Sequence, residues 1–362
     1  MSADLRSQFP VLERLAYLNT GSVGPVPRAA AEAAQAELQA GLEQGRGGAA
    51  QFERLEQLID ALRGRVAGLM GCWPQEVALT GATTDGVNSV LSGLDLRRGD
   101  EVLTSDEEHP GLLAPLASLR ERRGVRVRVA PFAELPGEVG LATRLVACSH
   151  VSWHTGRVMD TAALAASGAA VLLDGAQGLG AIPVDVRDLG CDFYAASGQK
   201  WLCGPIGSGY LYVRGERIEG LAPAAPGYQT LSDTTRPLDL PLKDGAARFD
   251  SGLPPSHHST WALAALDVLE GAGTDYVLER GPAQAEHLAG LLAGRGLTVS
   301  PRGRSTLVSW EAADNKAEST RLLEEGLLVR NLPGTGFVRA SVGAWNSDEE
   351  LERLSEAAAA VR

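Results

Sequence analysis

Residues 171–214 read VLLDGAQGLGAIPVDVRDLGCDFYAASGQKWLCGPIGSGYLYVR, and two charged side chains in them, Asp174 and Lys200, decide the fold. The stretch opens on an apolar run that halts at Asp174, with Gln177 one short turn further on. A second apolar run, CDFYAAS, ends in Ser197, Gly198, Gln199, Lys200 and Trp201. Short apolar runs that stop at an acid or at glycine have the pattern of buried strands in a parallel sheet. Open α/β sheets bind ligands at the edge where such strands end. Lysine is scarce here: among 33 Lys plus Arg only Lys200, Lys243 and Lys316 are lysine, and Lys200 alone lies between apolar segments. Desolvation disfavours an ammonium group and so makes the amine a better nucleophile. An acid for a pyridinium nitrogen and a lysine for an aldehyde are the two groups that pyridoxal 5'-phosphate asks of a protein.

The pattern DGAQ followed by CDFY-x-x-SG-x-KW-x-x-GP-x-G-x-G-x-LYV resembles the class V aminotransferases among the fold-type I pyridoxal-phosphate enzymes, and the similarity runs from about residue 17 to the C-terminus. That family holds cysteine desulfurases, C–S lyases, isopenicillin N epimerase-like proteins and transaminases. The resemblance implies an α/β fold of the aspartate aminotransferase-like type, built as a homodimer. It divides the chain into an N-terminal arm (1–16), a large cofactor domain with a mostly parallel sheet (17–255) and a small α+β C-terminal domain (256–362). It implies Lys200 as the Schiff-base lysine and proton shuttle, Asp174 as partner of the ring nitrogen, Gln177 at the phenolic oxygen and His109 stacked on the ring. Thr83, Thr84 and Ser197 are then expected at the phosphate, and Gln199 stands where desulfurases have His. Arg339, in an R-A-S run, matches the arginine that clamps the substrate carboxylate. Asn19, Gly21 and Arg330 are placed on the substrate side, and no metal is expected.

Composition sets outer bounds. With 362 residues, 44% hydrophobic and 22% charged, the chain supports one large domain and a smaller one. A formal charge of −12 argues against nucleic acid or an anionic membrane as principal partner. Cys72, Cys148, Cys191 and Cys203 are scattered without a C-x-x-C pair, as in a reduced cytoplasmic protein without structural zinc. The N-terminus has no signal-peptide pattern, and no apolar run reaches membrane-spanning length. The glycines after Asp174 follow G-x-x-G-x-G, which is not the dinucleotide fingerprint, and no P-loop occurs.

Along the chain, residues 28–70 read as two helices broken near the glycines at 45–48. Residues 77–80 form a strand, and the hydroxyl-rich 81–91 that follow mark a helix N-terminus, a ready anion site. Residues 100–105 form a strand that delivers His109. Residues 125–129 alternate strictly, and 144–150 form another strand. Residues 215–247 are Pro/Gly-rich and read as a loop over the site. Residues 248–252, RFDSG, match a family turn, but Leu253 stands where desulfurases carry a Thr that reaches the neighbouring subunit's phosphate; Ser256, Ser259 and Thr260 are the substitutes at hand. Residues 326–330 and 336–342 read as strands, the latter placing Phe337, Arg339 and Ser341 on one face, and Ser347 opens a capping box.

The reaction is the open question. Desulfurases need a mobile nucleophilic Cys, in one branch a few residues beyond the position of Arg330; here 331–336 hold none, and Cys203 follows Lys200 too closely. Trp153 occupies the place of a desulfurase Asn, so Trp153 or His154 is expected to shape the substrate pocket. Transamination of a small L-amino acid is the first reading, with C–S lysis of cysteine or cystine by β-elimination as the alternative. A cysteine desulfurase, an amino-acid epimerase and a catalytically silent scaffold stand behind these two.

Overall fold

The computed structural model describes residues 5–360. Two 3₁₀ turns, Arg6–Gln8 and Pro10–Glu13, lead into a two-residue strand, β1 (Ala16–Tyr17). Two helices follow, α1 (Arg28–Gln44) and α2 (Ala49–Met70). Pro27 precedes the first, and the second ends at Gly71 with φ 68°, a left-handed cap that glycine accepts without steric cost.

The central unit runs β2 (Val77–Thr80), α3 (Thr83–Gly93), β3 (Glu101–Ser105), α4 (Pro110–Arg123), β4 (Arg126–Ala130) and β5 (Thr143–Ser149). It continues with α5 (Thr161–Ala165), β6 (Ala170–Asp174), β7 (Phe193–Ser197), β8 (Gly209–Val213) and α6 (Gly215–Ile218). The strands lie in the order β2-β8-β7-β6-β5-β3-β4, and only β8 runs against its neighbours. Alternation within each strand builds one core on each face of the sheet. Leu103, Val146, Leu173 and Tyr194 point one way. Val102, Leu145, Leu172 and Phe193 point the other. Burial on both faces is why β5 to β8 read as continuous apolar runs. The alternating strand expected at 125–129 is edge strand β4, whose Arg126 and Arg128 pair with Glu101 on β3.

The C-terminal unit comprises α7 (Ser256–Ala272), α8 (Thr274–Gly294), β9 (Leu307–Glu311), α9 (Asn315–Glu324), β10 (Leu327–Leu328), β11 (Arg330–Asn331), β12 (Phe337–Ser341) and α10 (Asp348–Ala359). β11, β12 and β9 form an antiparallel sheet. The single strand expected at 326–330 is two strands, because its halves serve different partners: β10 pairs with β1, and β11 with β12. Through β1 the N-terminal segment joins this unit, and Leu18 is buried in its core. Ser347 and Glu350 form the expected capping box at the start of α10.

Candidate active site

Lys200 sits on a tight loop at the C-terminal end of β7. Gly198 N donates to Ser208 O at 2.9 Å, Gly204 N to Gly198 O at 2.9 Å and Cys203 N to Lys200 O at 3.1 Å. Closing so short a loop puts Cys203 at φ 54°, a left-handed conformation that only a rigid surround sustains. Residues 19–24 pack directly on this loop. Gly24 N donates to Gln199 O at 2.8 Å, and a Cβ on Gly24 would lie 2.1 Å from Lys200 O, so only glycine fits there. Burial lowers the Lys200 ammonium to about 8, and Arg339 and Arg330 push the same way against the pull of Asp174.

Asp174 ends β6, in register with Ser149 on β5. Its carboxylate accepts from Ala176 N at 2.9 Å. Burial raises the pKa of this acid, while Lys200 and the Ala176 N–H lower it. Between these two groups opens a cleft of about 220 Å³. Of the sequence-derived candidates, Thr83, Thr84, His109, Asp174, Gln177, Ser197, Gln199, Lys200 and Arg330 all line it. The irregular segment 215–247, expected as a loop over the site, contributes no lining residue among those described.

His109 is the N-cap of α4, and its Nδ1 accepts from Gly111 N at 2.9 Å. That bond assigns the proton of the neutral ring to Nε2. Burial keeps the ring neutral, with a pKa lowered to about 4, and Lys200, Arg330 and Arg339 add to the shift. Its edge meets Trp153 at 5.0 Å and 88°. Gln177 is held at both ends of its amide: Nε2 donates to Gly21 O at 2.8 Å and Oε1 accepts from Trp201 Nε1 at 3.0 Å. The amide carries two N–H donors, so one stays free for a ligand.

The substrate-side candidates separate. Arg330 reaches the cleft, donates to Ser22 Oγ at 2.9 Å and lies 6.0 Å from the Trp153 ring. Asn19 does not line the cleft; its Oδ1 accepts from Ser22 Oγ at 2.7 Å, and Ser22 takes the lining position. Arg339 lies just behind the surface, 1% exposed, its Nη1 donating to Trp153 O at 2.7 Å. A Cβ on Gly21 would stand 2.7 Å from Ser341 Oγ and 3.1 Å from Arg339 Nη2, so Gly21 leaves that guanidinium its approach. Ser22 carries no charge to single it out, and Trp201 and Ala176, though inside the quoted motifs, take no role from the sequence because their contacts with Gln177 and Asp174 are visible only in the folded chain. Trp153 does line the cleft.

Several buried polar atoms here have no partner within the chain: Thr83 Oγ1, Ser197 Oγ, Gln199 Oε1, and Arg339 Nε and Nη2. Orphaned buried donors and acceptors are costly and mark where a ligand completes the bonding. The hydroxyls flank the start of α3, whose first N–H groups lack helical partners. A phosphate at that end, a ring between His109 and Asp174 and an aldehyde at Lys200 fit the donors present.

Such a sheet, with an acid and a lysine at the ends of adjacent parallel strands beside an anion cup, defines a fold-type I pyridoxal-phosphate enzyme. The chain belongs to the aminotransferase class-V family, whose model matches residues 16–354. It is 33% identical to a probable cysteine desulfurase of Pseudomonas aeruginosa, covering 96% of this chain and 95% of that one. It is 30% identical to the isopenicillin N epimerase of Streptomyces clavuligerus, over 94% and 93% of the two chains. Among solved structures it superposes on the cystine C–S lyase C-DES in complex with its reaction product cysteine persulfide. That likeness has a TM-score of 0.92 at 28% identity and covers 98% of this chain and 99% of the other.

Proposed function

We propose that this enzyme is a C–S lyase that acts by β-elimination on a small L-amino acid with sulfur on Cβ, cysteine or cystine. The observation that carries the reading is a cleft equipped to bind and deprotonate an amino acid but with no thiol able to enter it. Cys72, Cys148, Cys191 and Cys203 are all buried. Burial lifts the Cys72 and Cys191 thiols to about 12 and those of Cys148 and Cys203 well above the ordinary thiol range. A desulfurase would need a reachable thiolate. The C–S chemistry of the lyase that this chain resembles favours elimination over the transamination first expected from the residues.

The residues divide the work. The α3 N-terminus with Thr83, Thr84, Ser197 and Gln199 would hold the phosphate; Asp174, Gln177 and His109 would hold the ring. When bound, pyridoxal 5'-phosphate supplies the electron sink for the pair released at Cα. Arg339 has Nη1 spent on Trp153 O, which leaves Nε and Nη2, adjacent donors on one edge of the guanidinium. That edge matches a carboxylate bidentately. Lys200 Nζ, with a pKa brought down to about 8, takes the Cα proton near neutral pH. Arg330, half-buried beside Trp153, faces the outer end of the substrate. Cysteine and water would yield pyruvate, ammonia and sulfide; cystine and water would yield pyruvate, ammonia and cysteine persulfide.

The test is product analysis with L-cysteine and L-cystine, on the wild type and on Cys203→Ala. Pyruvate should match sulfur release in both proteins. Stoichiometric alanine from wild type, lost in Cys203→Ala, would overturn the lyase reading in favour of a desulfurase.

The domain division at 16/17 and 255/256 is proposed on the family resemblance; the separate seven-stranded and three-stranded sheets support two units, while β1 spans the 16/17 boundary and pairs with the C-terminal one. A homodimer is proposed on the family resemblance and on exposed apolar side chains such as Leu42, Ile206, Tyr228 and Leu238. Four unpaired cysteines support a cytoplasmic, reducing setting. Among the described residues no helix is long and apolar enough to cross a membrane.

A further inference from the structure

Glu108 is a buried carboxyl, 5% exposed, that does not line the cleft and has no part in the mechanism above. It accepts four hydrogen bonds. Ser149 N reaches Oε1 at 3.0 Å and Oε2 at 2.9 Å, Ser149 Oγ reaches Oε2 at 2.6 Å, and Ser105 Oγ donates to Oε1. Ser105 ends β3 and Ser149 ends β5. The paired register of those neighbours stops earlier, at Leu103↔Val146. Beyond it each strand stays paired only on its outer side, Ser105 with Ala130 and Ser149 with Asp174. The sheet order reverses direction between β5 and β3, so the gap is the crevice where such sheets place a ligand. One carboxyl thus spans the strand ends where the ladder no longer does.

What lies on either side gives the bridge its meaning. Glu108 directly precedes His109, the N-cap of α4, and its main acceptor bonds go to the residue in register with Asp174. We propose that Glu108 is a positioning residue that sets the separation of His109 from Asp174, and so the seat of the ring between them. The inference rests on the assignment of those two residues to the cofactor. Charge agrees with the geometry. Burial lifts the Glu108 acid to about 7, with the serine donors opposing and Asp174 adding to the rise; the Cys148 thiol, pushed up by burial and by Glu108 and Asp174, stays neutral beside it. The negative charge of Glu108 beside Asp174 is thereby lessened at neutral pH.

Glu108→Gln preserves the shape but turns an amide N–H₂ toward Ser149 N–H, replacing an acceptor by a donor. The full-length protein, freed of cofactor, is titrated with pyridoxal 5'-phosphate, and the circular dichroism of the bound cofactor's visible band is recorded. Loss of a partner that orients a binding group predicts about tenfold weaker cofactor binding and a band reduced to about half or less. The thermal midpoint of the cofactor-free protein should also fall by a few degrees, because a buried N–H loses its acceptor, so the affinity and the dichroism carry the test. Ser149→Ala, which removes one hydroxyl donor, should give the same effects in smaller measure, about threefold. Unchanged affinity and unchanged dichroism in Glu108→Gln would overturn the inference and leave the function standing. A fall in cofactor-free stability with affinity unmoved would reduce Glu108 to a structural brace and also overturn it. If Glu108→Gln does not fold, an unaltered Ser149→Ala overturns it equally. A wild type that takes up no pyridoxal 5'-phosphate would sink both readings together.

Discussion

Replacing Asp174 by Asn removes the carboxylate that favours a proton on Lys200 Nζ, and the consequence is measurable as a shift along the pH axis. Only the neutral amine attacks an aldehyde. Burial brings Lys200 to about 8 from an ordinary 10.5, with Asp174 opposing the fall. At pH 7 that leaves about 9% of the lysine neutral against about 0.03% for an unperturbed one, roughly a 300-fold gain. Capture of pyridoxal 5'-phosphate by the cofactor-free wild type should therefore climb about tenfold per pH unit and level off near pH 8. In Asp174→Asn the levelling should come about one unit or more lower, because an opposite charge nearby has been lost. The assay follows growth of the visible band from pH 5 to 10, with borohydride fixation mapped to the labelled lysine. The midpoint carries the comparison, since the variant also loses the group proposed to partner the ring nitrogen. The same shift has a signed effect on the cofactor-free fold. Between about 8 and 10.5 the unfolded chain keeps a proton that folded Lys200 has lost, so stability rises with pH across that window. A wild-type rate that keeps rising past pH 10, an unmoved midpoint in Asp174→Asn, or label on Lys243 or Lys316 would refute the reasoning.

Three further changes probe the surround. Arg339→Lys keeps the charge but loses the Nε/Nη2 edge, so KM for the amino acid should rise about 10- to 100-fold while cofactor affinity holds within about twofold. Gly24→Ala drives a Cβ to 2.1 Å from Lys200 O, and urea unfolding should show a loss of about 2–3 kcal/mol. Asp250 accepts from Arg63 Nη2 at 2.8 Å and from Leu79 N at 2.8 Å, all buried. Asp250→Ala strands that guanidinium and should cost about 3–5 kcal/mol in the same measurement.

Strand periodicity and the abrupt stops at Asp174 and Ser197 were determined by the sequence, because burial on both faces leaves a continuous apolar run and a polar end. The breaks at 45–48, the capping box at Ser347 and the hydroxyls at the start of α3 were legible for the same reason: their physics spans only a few residues. The contacts that finish the site were not. Gln177 is clamped to Gly21 O and Trp201, Arg339 is anchored on Trp153 O, and Glu108 ties β3 to β5. These partners are brought together by the fold from remote parts of the chain, and no local pattern encodes a hydrogen bond between distant segments. For the same reason Asn19, a plausible ligand by position, gave way to Ser22. The burial of Cys203 was likewise decided by packing, which holds it at φ 54° beneath Gly24. Local sequence sets which groups end each strand; only the way the segments close on one another decides which of those groups face a common space.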